Sequence, residues 1–525
     1  MTNRGSEWRR WDLHIHTKGT NKNDCYACAD IEAYCKLLFK KAVEKEIYAI
    51  GITDYFSIDR YKEVKGFQSK IVTNPDFSDS EKAFISNILV LPNVELRMLP
   101  VTDRGKLVNI HCIFNPDYVQ FLENDFFGSL SFKVAGQDFK MNESGLIGLG
   151  KHYDGSLDDS AAYKTGVEHF VTSHDRLQEL FENNTKLREN TLIVVSNSNN
   201  DGNSAYQKHY DLFENENGSL DEVRRVIYNL SDCIFSANNK DIEYFLGKGA
   251  DSKDVVKKKI RSLKPCIHGC DAHTEEKIFE PDERRYCWIK ADLTFNGLKQ
   301  IIYEPDERVR IQELKPEDKK AYHLIDTITL TESGFWEEEI PLNQNLNTII
   351  GGRSTGKSTL LAAIAKKITP SIKLDNERQN DFVNNHVSTL SIKWADDTIA
   401  QARDIEYYGQ GYLYNLAKSV EKTNELIGGI VLNSDKGEML IAYNNSCEEL
   451  KKQLSHDLLD LFQNQTQLDE QEKKSRETGN KDGILVELKR IEEQITTATK
   501  SLGMSEEDLK TFHEMETQIE EKKTC

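Results

Sequence analysis

Two groups of residues in this sequence have the types and spacing to do chemistry. The first is a series of imidazoles and carboxylates: His14-x-His16, Asp54 closing Gly-Ile-Thr-Asp, Glu95 closing Asn-Val-Glu, His111 closing Val-Asn-Ile-His, and the run His268-Gly-Cys-Asp271-Ala-His273. Alternate residues of an extended strand share a face, so His-x-His and Asp-x-His each aim two donors the same way. A lone pair of this kind is ordinary. Five strand ends carrying such donors form a ligand set suited to Mn²⁺, Fe²⁺ or Zn²⁺.

The second group is Gly351-Gly352-Arg353-Ser354-Thr355-Gly356-Lys357-Ser358, followed by Thr359. It fits G-x-x-x-x-G-K-[ST], in which glycines let backbone N–H groups wrap phosphates and the next helix adds its dipole. An apolar run at 346–350 precedes it and an Ala/Leu-rich run at 360–367 follows, so a strand–loop–helix unit is expected. Lys357 would then reach the β and γ phosphates of ATP, with Ser358 on Mg²⁺.

The elements that must position the first group are short apolar strands at 11–15, 49–53, 88–91, 108–114, 191–195 and 233–237. They alternate with helical stretches such as 31–45, whose apolar side is Leu37, Leu38, Ala42 and Val43. This alternation predicts an α/β fold with a parallel sheet or barrel and functional groups at the strand ends. Residues 121–162, rich in Gly, Asp, Ser and Asn, read as an insertion or mobile loop. The repeated Glu-Pro-Asp-Glu-Arg at 280–284 and 304–308 reads as a turn closing an element. Beyond residue 422 the pattern turns helical. Leu440, Cys447, Leu454, Leu461 and Leu468 recur every seven residues, and Ile484, Leu488, Ile491, Ile495 and Leu502 continue the spacing as a coiled-coil arm broken at Gly479 and Gly483. The divisions expected are a phosphoesterase-type domain at 1–312, an ATPase lobe at 313–432 and the arm at 433–525.

Composition narrows the classes. A net charge of −19 gives no general affinity for nucleic acid, although a local basic groove is compatible with it. Nothing reads as a secretory signal or membrane span, and ten scattered cysteines fit reduced thiols, so a cytoplasmic protein without a membrane partner is expected. Cys25-x-x-Cys28 and the Cys266/Cys270 pair read as small packed residues.

The order His-x-His, Thr-Asp, Glu, His, Asp-x-His resembles the PHP (polymerase and histidinol phosphatase) family over residues 8–275. With the loop at 351–358, the whole chain resembles the PHP–ATPase fusions of the TrlF family. That resemblance implies a distorted βα barrel hydrolysing phosphate esters. By it, His14, His16, Glu95 and Asp271 hold one ion, Glu95 bridges to a second bound by His111, and His273 lies near a third position or the phosphate. Asp54 and His268 join the metal candidates, while Asp54 and His273 are candidates to orient the attacking water. Two positions depart from the pattern: Tyr55 stands where the family has His, and 195–197 ends in Asn197. His169, His174 and His209 are candidates for the missing histidine and read as surface residues.

Residues 405–412 resemble the Q-loop of SMC-type ATPases, which would give Gln410 the role of sensing Mg²⁺ and the γ-phosphate. No signature or Walker B motif follows, so the expectation is either a truncated product or fragment, or another chain supplying the missing half; two chains would pair through heads or coiled coil. The expectation is a metal-dependent nuclease regulated by ATP. The competing readings are an ATP-gated nucleic-acid clamp on a non-catalytic barrel, and a small-molecule phosphatase.

Overall fold

The structure, a computed structural model, describes residues 4–99, 107–197, 219–316, 319–334, 336–372, 377–398, 405–409, 420–432 and 437–523, with single positions between them. The chain divides into two compact units, Met1–Ile405 and Glu406–Cys525.

The first unit is built on a ten-stranded mixed sheet. Strand β1 (Glu7–Ile15) runs parallel to β2 (Ile47–Tyr55), which runs parallel to β3 (Leu89–Leu99); β4 (Val108–Phe114) then pairs antiparallel with β3. Strands Thr191–Ser196, Cys233–Phe235 and Cys266–Ile267 continue from β4, and Tyr286–Ala291 and Val309–Gln312 extend the sheet beyond β1. After Cys266–Ile267 the chain returns to β1 through a parallel bridge between Ile15 and Ala272, which nearly closes the sheet into a barrel.

Sequence pattern explains the layers. β2 is buried along almost its whole length, as a parallel strand covered on both faces must be. Along Thr191–Ser196, Ile193 and Val195 pack in one apolar cluster while Leu192 and Val194 pack in another, because side chains alternate across the sheet. The outer cluster takes the helices. Helix α1 (Ile31–Glu44), capped by Asp30 accepting from the Ala33 N–H, contributes Tyr34, Leu38 and Phe39 to it. The inner cluster is plugged by Phe295, Leu298 and Ile301.

Of the two expectations for residues 121–162, an insertion or a mobile loop, the loop does not hold. These residues form a β-hairpin (Ser131–Val134 with Gln137–Lys140) and two helices, Glu143–Tyr153 and Asp159–His169. Gly150 and Gly166 let those helices touch: a Cβ at either would stand 2.0 Å or less from a carbonyl of the other helix. The glycines that read as loop formers are contact residues.

Within the same unit lies a separate three-stranded antiparallel sheet (Trp336–Pro341, Ile325–Glu332, Leu390–Trp394) with helix Lys357–Ile368 against it. Arg4, in the lead-in to β1, forms an ion pair of 2.9 Å with Asp326 and tethers this sheet to the barrel. The strand expected at 346–350 is not formed. Leu346 is 84% exposed and Ile350 89%, and the sheet offers this segment no pairing partner, without which extended backbone is no strand.

The second unit contains helices Gly437–Thr478, Lys481–Leu502 and Glu506–Lys523. The expected break falls at Gly479, which adopts a positive φ, while Gly483 lies inside a helix and a second break occurs at Gly503. Leu454, Leu461, Leu468 and Ile495 are exposed along these helices.

Candidate metal centre

Five of the eight metal candidates converge at the end of the barrel where β1 and β2 finish. The Nε2 atoms of His14 and His16 are 3.3 Å apart. Asp271 Oδ1 lies 3.3 and 3.6 Å from them, and Glu95 Oε2 lies 3.7 and 3.4 Å from them. Ligands around a tetrahedral ion at about 2.1 Å stand about 3.4 Å apart, so the spacing between the two imidazoles, and of each carboxylate from them, suits a shared ion. His14, Glu95 and His111 form a second, overlapping group.

Strand register assembles this set. Tyr55 pairs with Glu95 across β2 and β3, and Glu95 pairs with His111 across β3 and β4, giving one row of side chains. The β1–β2 register shifts between Asp12 and Ile15, an irregularity of the kind that re-aims a side chain, and His14 sits within it. The 269–272 segment is fastened to β1 by the Asp271 N–H donating to His14 O at 2.8 Å and by the Cys270 N–H donating to the Asp12 carboxylate. Asp12, pushed up to about 6 by burial, serves as that clamp. Gly269 has no room for a side chain, since a Cβ would stand 2.4 Å from His14 N and 2.7 Å from Asp12 Oδ1. Asp271 itself holds φ at 48°, a costly conformation for a residue with a side chain and one that accumulates at functional sites.

The imidazole protons can be assigned by following the bonds. Asp54 Oδ1 accepts from the Thr20 hydroxyl (3.0 Å) and from the N–H groups of Asn21 and Tyr55. With its proton engaged there, Thr20 accepts from His16 Nδ1 at 3.4 Å, and the lone pair of His16 Nε2 is turned into the cage. Asn93 donates through Nδ2 to Leu13 O and Thr53, so its Oδ1 accepts from His111 Nδ1 at 3.3 Å. His111 Nε2 is left buried without a hydrogen-bond partner. His273 Nδ1 donates to Asn23 O at 3.0 Å, and its Nε2 faces Asp271 at 3.6 Å. Three histidines thus present Nε2 lone pairs inward.

Electrostatics agree. Burial holds His16 down at about 4 and His111 well below its usual value, so both imidazoles are neutral. Glu95 is fully buried, which alone would raise it, yet its contacts with the His14 and His16 imidazoles and the nearby charge of Arg97 pull it well below the carboxylate range. Its Oε1 accepts from Arg97 (3.0 Å) and from Asn109 (3.0 Å), so Oε2 is the oxygen facing the imidazoles. Asp54 rises to about 7 through burial.

Asp54 and His268 lie outside the two converging groups. Asp54 stands behind His16 as its orienting partner, and His268 lines the adjoining cleft of about 510 Å³ with its Nε2 buried and unbonded. Lys240, Asp282 and Arg285 also line that cleft. His169 is an exposed helix residue donating to Thr165 O, His174 pairs with Asp175, and His209 lies outside the described residues. Asn197 is buried and donates to Asp241 at 2.9 Å. Asp12, Asn93, Arg97, Asn109 and Gly269 do not stand out in the sequence. Of these, Asp12, Asn93 and Asn109 carry a signal there, each two residues ahead of a candidate ligand on the same strand face.

In the loop at 351–358, Gly356 and Ser354 take positive φ and helix Lys357–Ile368 starts at the lysine. Lys357 Nζ donates to Gly351 O at 2.8 Å and to Gly352 O, folding the loop around its own ammonium. Residues 351–356 are exposed. Gln410 lies outside the described residues.

The sequence matches no family model and no curated protein. Among solved structures it is similar to a Bifidobacterium adolescentis protein provisionally described as a metal-dependent phosphoesterase, at 10% identity and a TM-score of 0.29, covering 57% of this chain and 97% of that one. It is also similar to PsfC from Pseudomonas syringae, at 12% identity and a TM-score of 0.26, covering 56% of this chain and 88% of that one. Likeness this weak carries no argument about function. No helix among the described residues is long and apolar enough to cross a membrane.

Proposed function

We propose that the barrel is a metal-dependent phosphoesterase of the PHP type that cleaves nucleic acid, and that residues 351–359 bind ATP with Mg²⁺ to regulate it. The observation that carries the first part is the meeting of His14, His16, Glu95 and Asp271, with the His16 Nε2 lone pair turned inward and each carboxylate oxygen 3.3–3.7 Å from both imidazole Nε2 atoms. A divalent ion held there would polarise a phosphoryl oxygen and acidify a water.

The chain's own groups contribute the rest. Asp54, raised by burial, keeps His16 oriented through Thr20. His273, stacked on His16 with ring centres 4.2 Å apart, carries Nε2 beside Asp271, where it orients an attacking water. The cleft beside Asp271 receives the substrate. Nucleic acid is preferred because the 351–358 loop and the long helices resemble the architecture of DNA-handling ATPases; pairing of two chains through the exposed leucine stripe belongs to the same proposal.

The test is cleavage of labelled single- and double-stranded DNA and RNA with Mn²⁺, beside a nitrophenyl phosphate. Polymer cleavage by the wild type and none by His14→Ala is expected. Hydrolysis of the small ester alone would overturn the nuclease reading, and no hydrolysis of either would overturn the phosphoesterase.

A further inference from the structure

The side of the cage facing β3 carries two cations for which the proposed chemistry has no role. Arg97 follows Glu95 at the same-face spacing on β3, and its guanidinium binds Glu95 Oε1. That oxygen also accepts from Asn109, so the part of Glu95 that would bridge to a second ion beside His111 is already engaged. The Arg97 guanidinium lies 5.4 Å from the centre of the Tyr55 ring, and the Lys22 ammonium lies 5.7 Å from the same centre. Tyr55 in turn stacks on His16 at 4.9 Å. Lys22 makes no ion pair within 4 Å among the described residues, although the charges of Glu168 and Glu95 act on it. Two like charges therefore meet around one ring at the rim of the cage. Their proximity is also felt by Lys22, whose proton is loosened by burial and then by the charge of Arg97.

We propose that Arg97 and Lys22, gathered on Tyr55, form an anion site that receives the phosphoryl group beside a single metal ion, Arg97 supplying the positive charge a second ion would bring. This rests on the phosphoesterase reading for its substrate class. The logic is that of a phosphate clamp: a planar, permanently charged guanidinium shared between a fixed carboxylate and an incoming phosphoryl oxygen, with a flexible ammonium opposite. A divalent ion placed beside His111 would sit against that guanidinium, so the barrel takes up one ion.

The experiment uses the full chain with Mn²⁺ and inorganic phosphate as probes. Metal content after reconstitution and gel filtration is read by elemental analysis. Phosphate affinity is read from the broadening of its ³¹P resonance by bound Mn²⁺. One Mn²⁺ per barrel is expected in the wild type and in Lys22→Met. A loss of phosphate affinity of about tenfold or more is expected in Arg97→Met and in Lys22→Met, as for removal of a charge-assisted bond. Partial recovery is expected in Arg97→Lys. Two ions per barrel in the wild type, or wild-type phosphate affinity in Lys22→Met, would overturn the proposal. Lys22, on a partly exposed loop, keeps the test valid if Arg97→Met fails to fold. Variant-sensitive phosphate binding in a protein that hydrolyses no phosphate ester would uphold the anion site and remove the phosphoesterase. Hydrolysis with phosphate affinity unchanged in both variants would do the reverse.

Discussion

The metal cage and the 351–358 loop sit in the same compact unit and are built in opposite ways. The cage is made of side chains from separated stretches, almost all buried, each held by a neighbour that is itself held: Asp54 behind Thr20 behind His16, and Leu13 and Thr53 behind Asn93 behind His111. The loop is made of backbone, is exposed, and needs only two positive-φ turns and a helix start. A site assembled by register therefore fails when any supporting contact is altered, whereas a site assembled by local backbone tolerates change around it.

Five substitutions test that contrast, the largest expected effect first. Asp271→Ala should remove bound metal and bring hydrolysis to background while far-ultraviolet circular dichroism stays unchanged; full metal retention would show that the cage is not the ligand set. Lys264, deep in the barrel and donating to Ser231 O, is lowered to about 8 by burial. Its unfolded form binds the proton more tightly, so the folded protein gains stability as pH rises from about 8 towards 10.5. Lys264→Met should flatten that rise by about 3 kcal/mol in urea titrations at the two pH values. Equal slopes for both proteins would mean that this interior is wetter than its packing implies.

On the other side of the comparison, Lys357→Ala should abolish stabilisation by ATP, about 2.7 kcal/mol at a hundredfold excess over Kd, without changing barrel metal content. An unchanged thermal shift with ATP would remove the nucleotide site. The gentlest test is a pair of glycines. Gly269→Ala drives a methyl into His14 and Asp12 and should cost about 2–3 kcal/mol. Gly352→Ala meets only the Thr355 methyl at 3.8 Å and should change stability by less than about 0.5 kcal/mol. Similar costs at both would erase the distinction between the two sites.

The same contrast explains what could be read in the sequence. Strands β1 to β4 and helix α1 were legible because each is a continuous apolar or amphipathic run whose period is local. The candidate ligands His14, His16, Glu95, His111, Asp271 and His273 were legible as residue types, but not all their places were: Glu95 and His111, read as strand ends, lie inside β3 and β4. The supports of these ligands were not legible. Arg97 and Asn109 acquire meaning only when register lays Glu95 opposite His111, and nothing local announces that Gly269 lies under His14. The 346–350 run looked like a strand because apolarity is local, but a strand also needs a partner, and pairing is not. Residues 121–162 misled in the other direction: their glycines permit helix contact, and composition alone does not distinguish that use from a loop.

The most direct test of the metal cage is anomalous diffraction at the manganese edge from crystals of the Mn²⁺-loaded protein. One strong barrel peak is predicted among His14 Nε2, His16 Nε2, Glu95 Oε2 and Asp271 Oδ1. An empty cage, or a peak elsewhere such as beside His268, would contradict it.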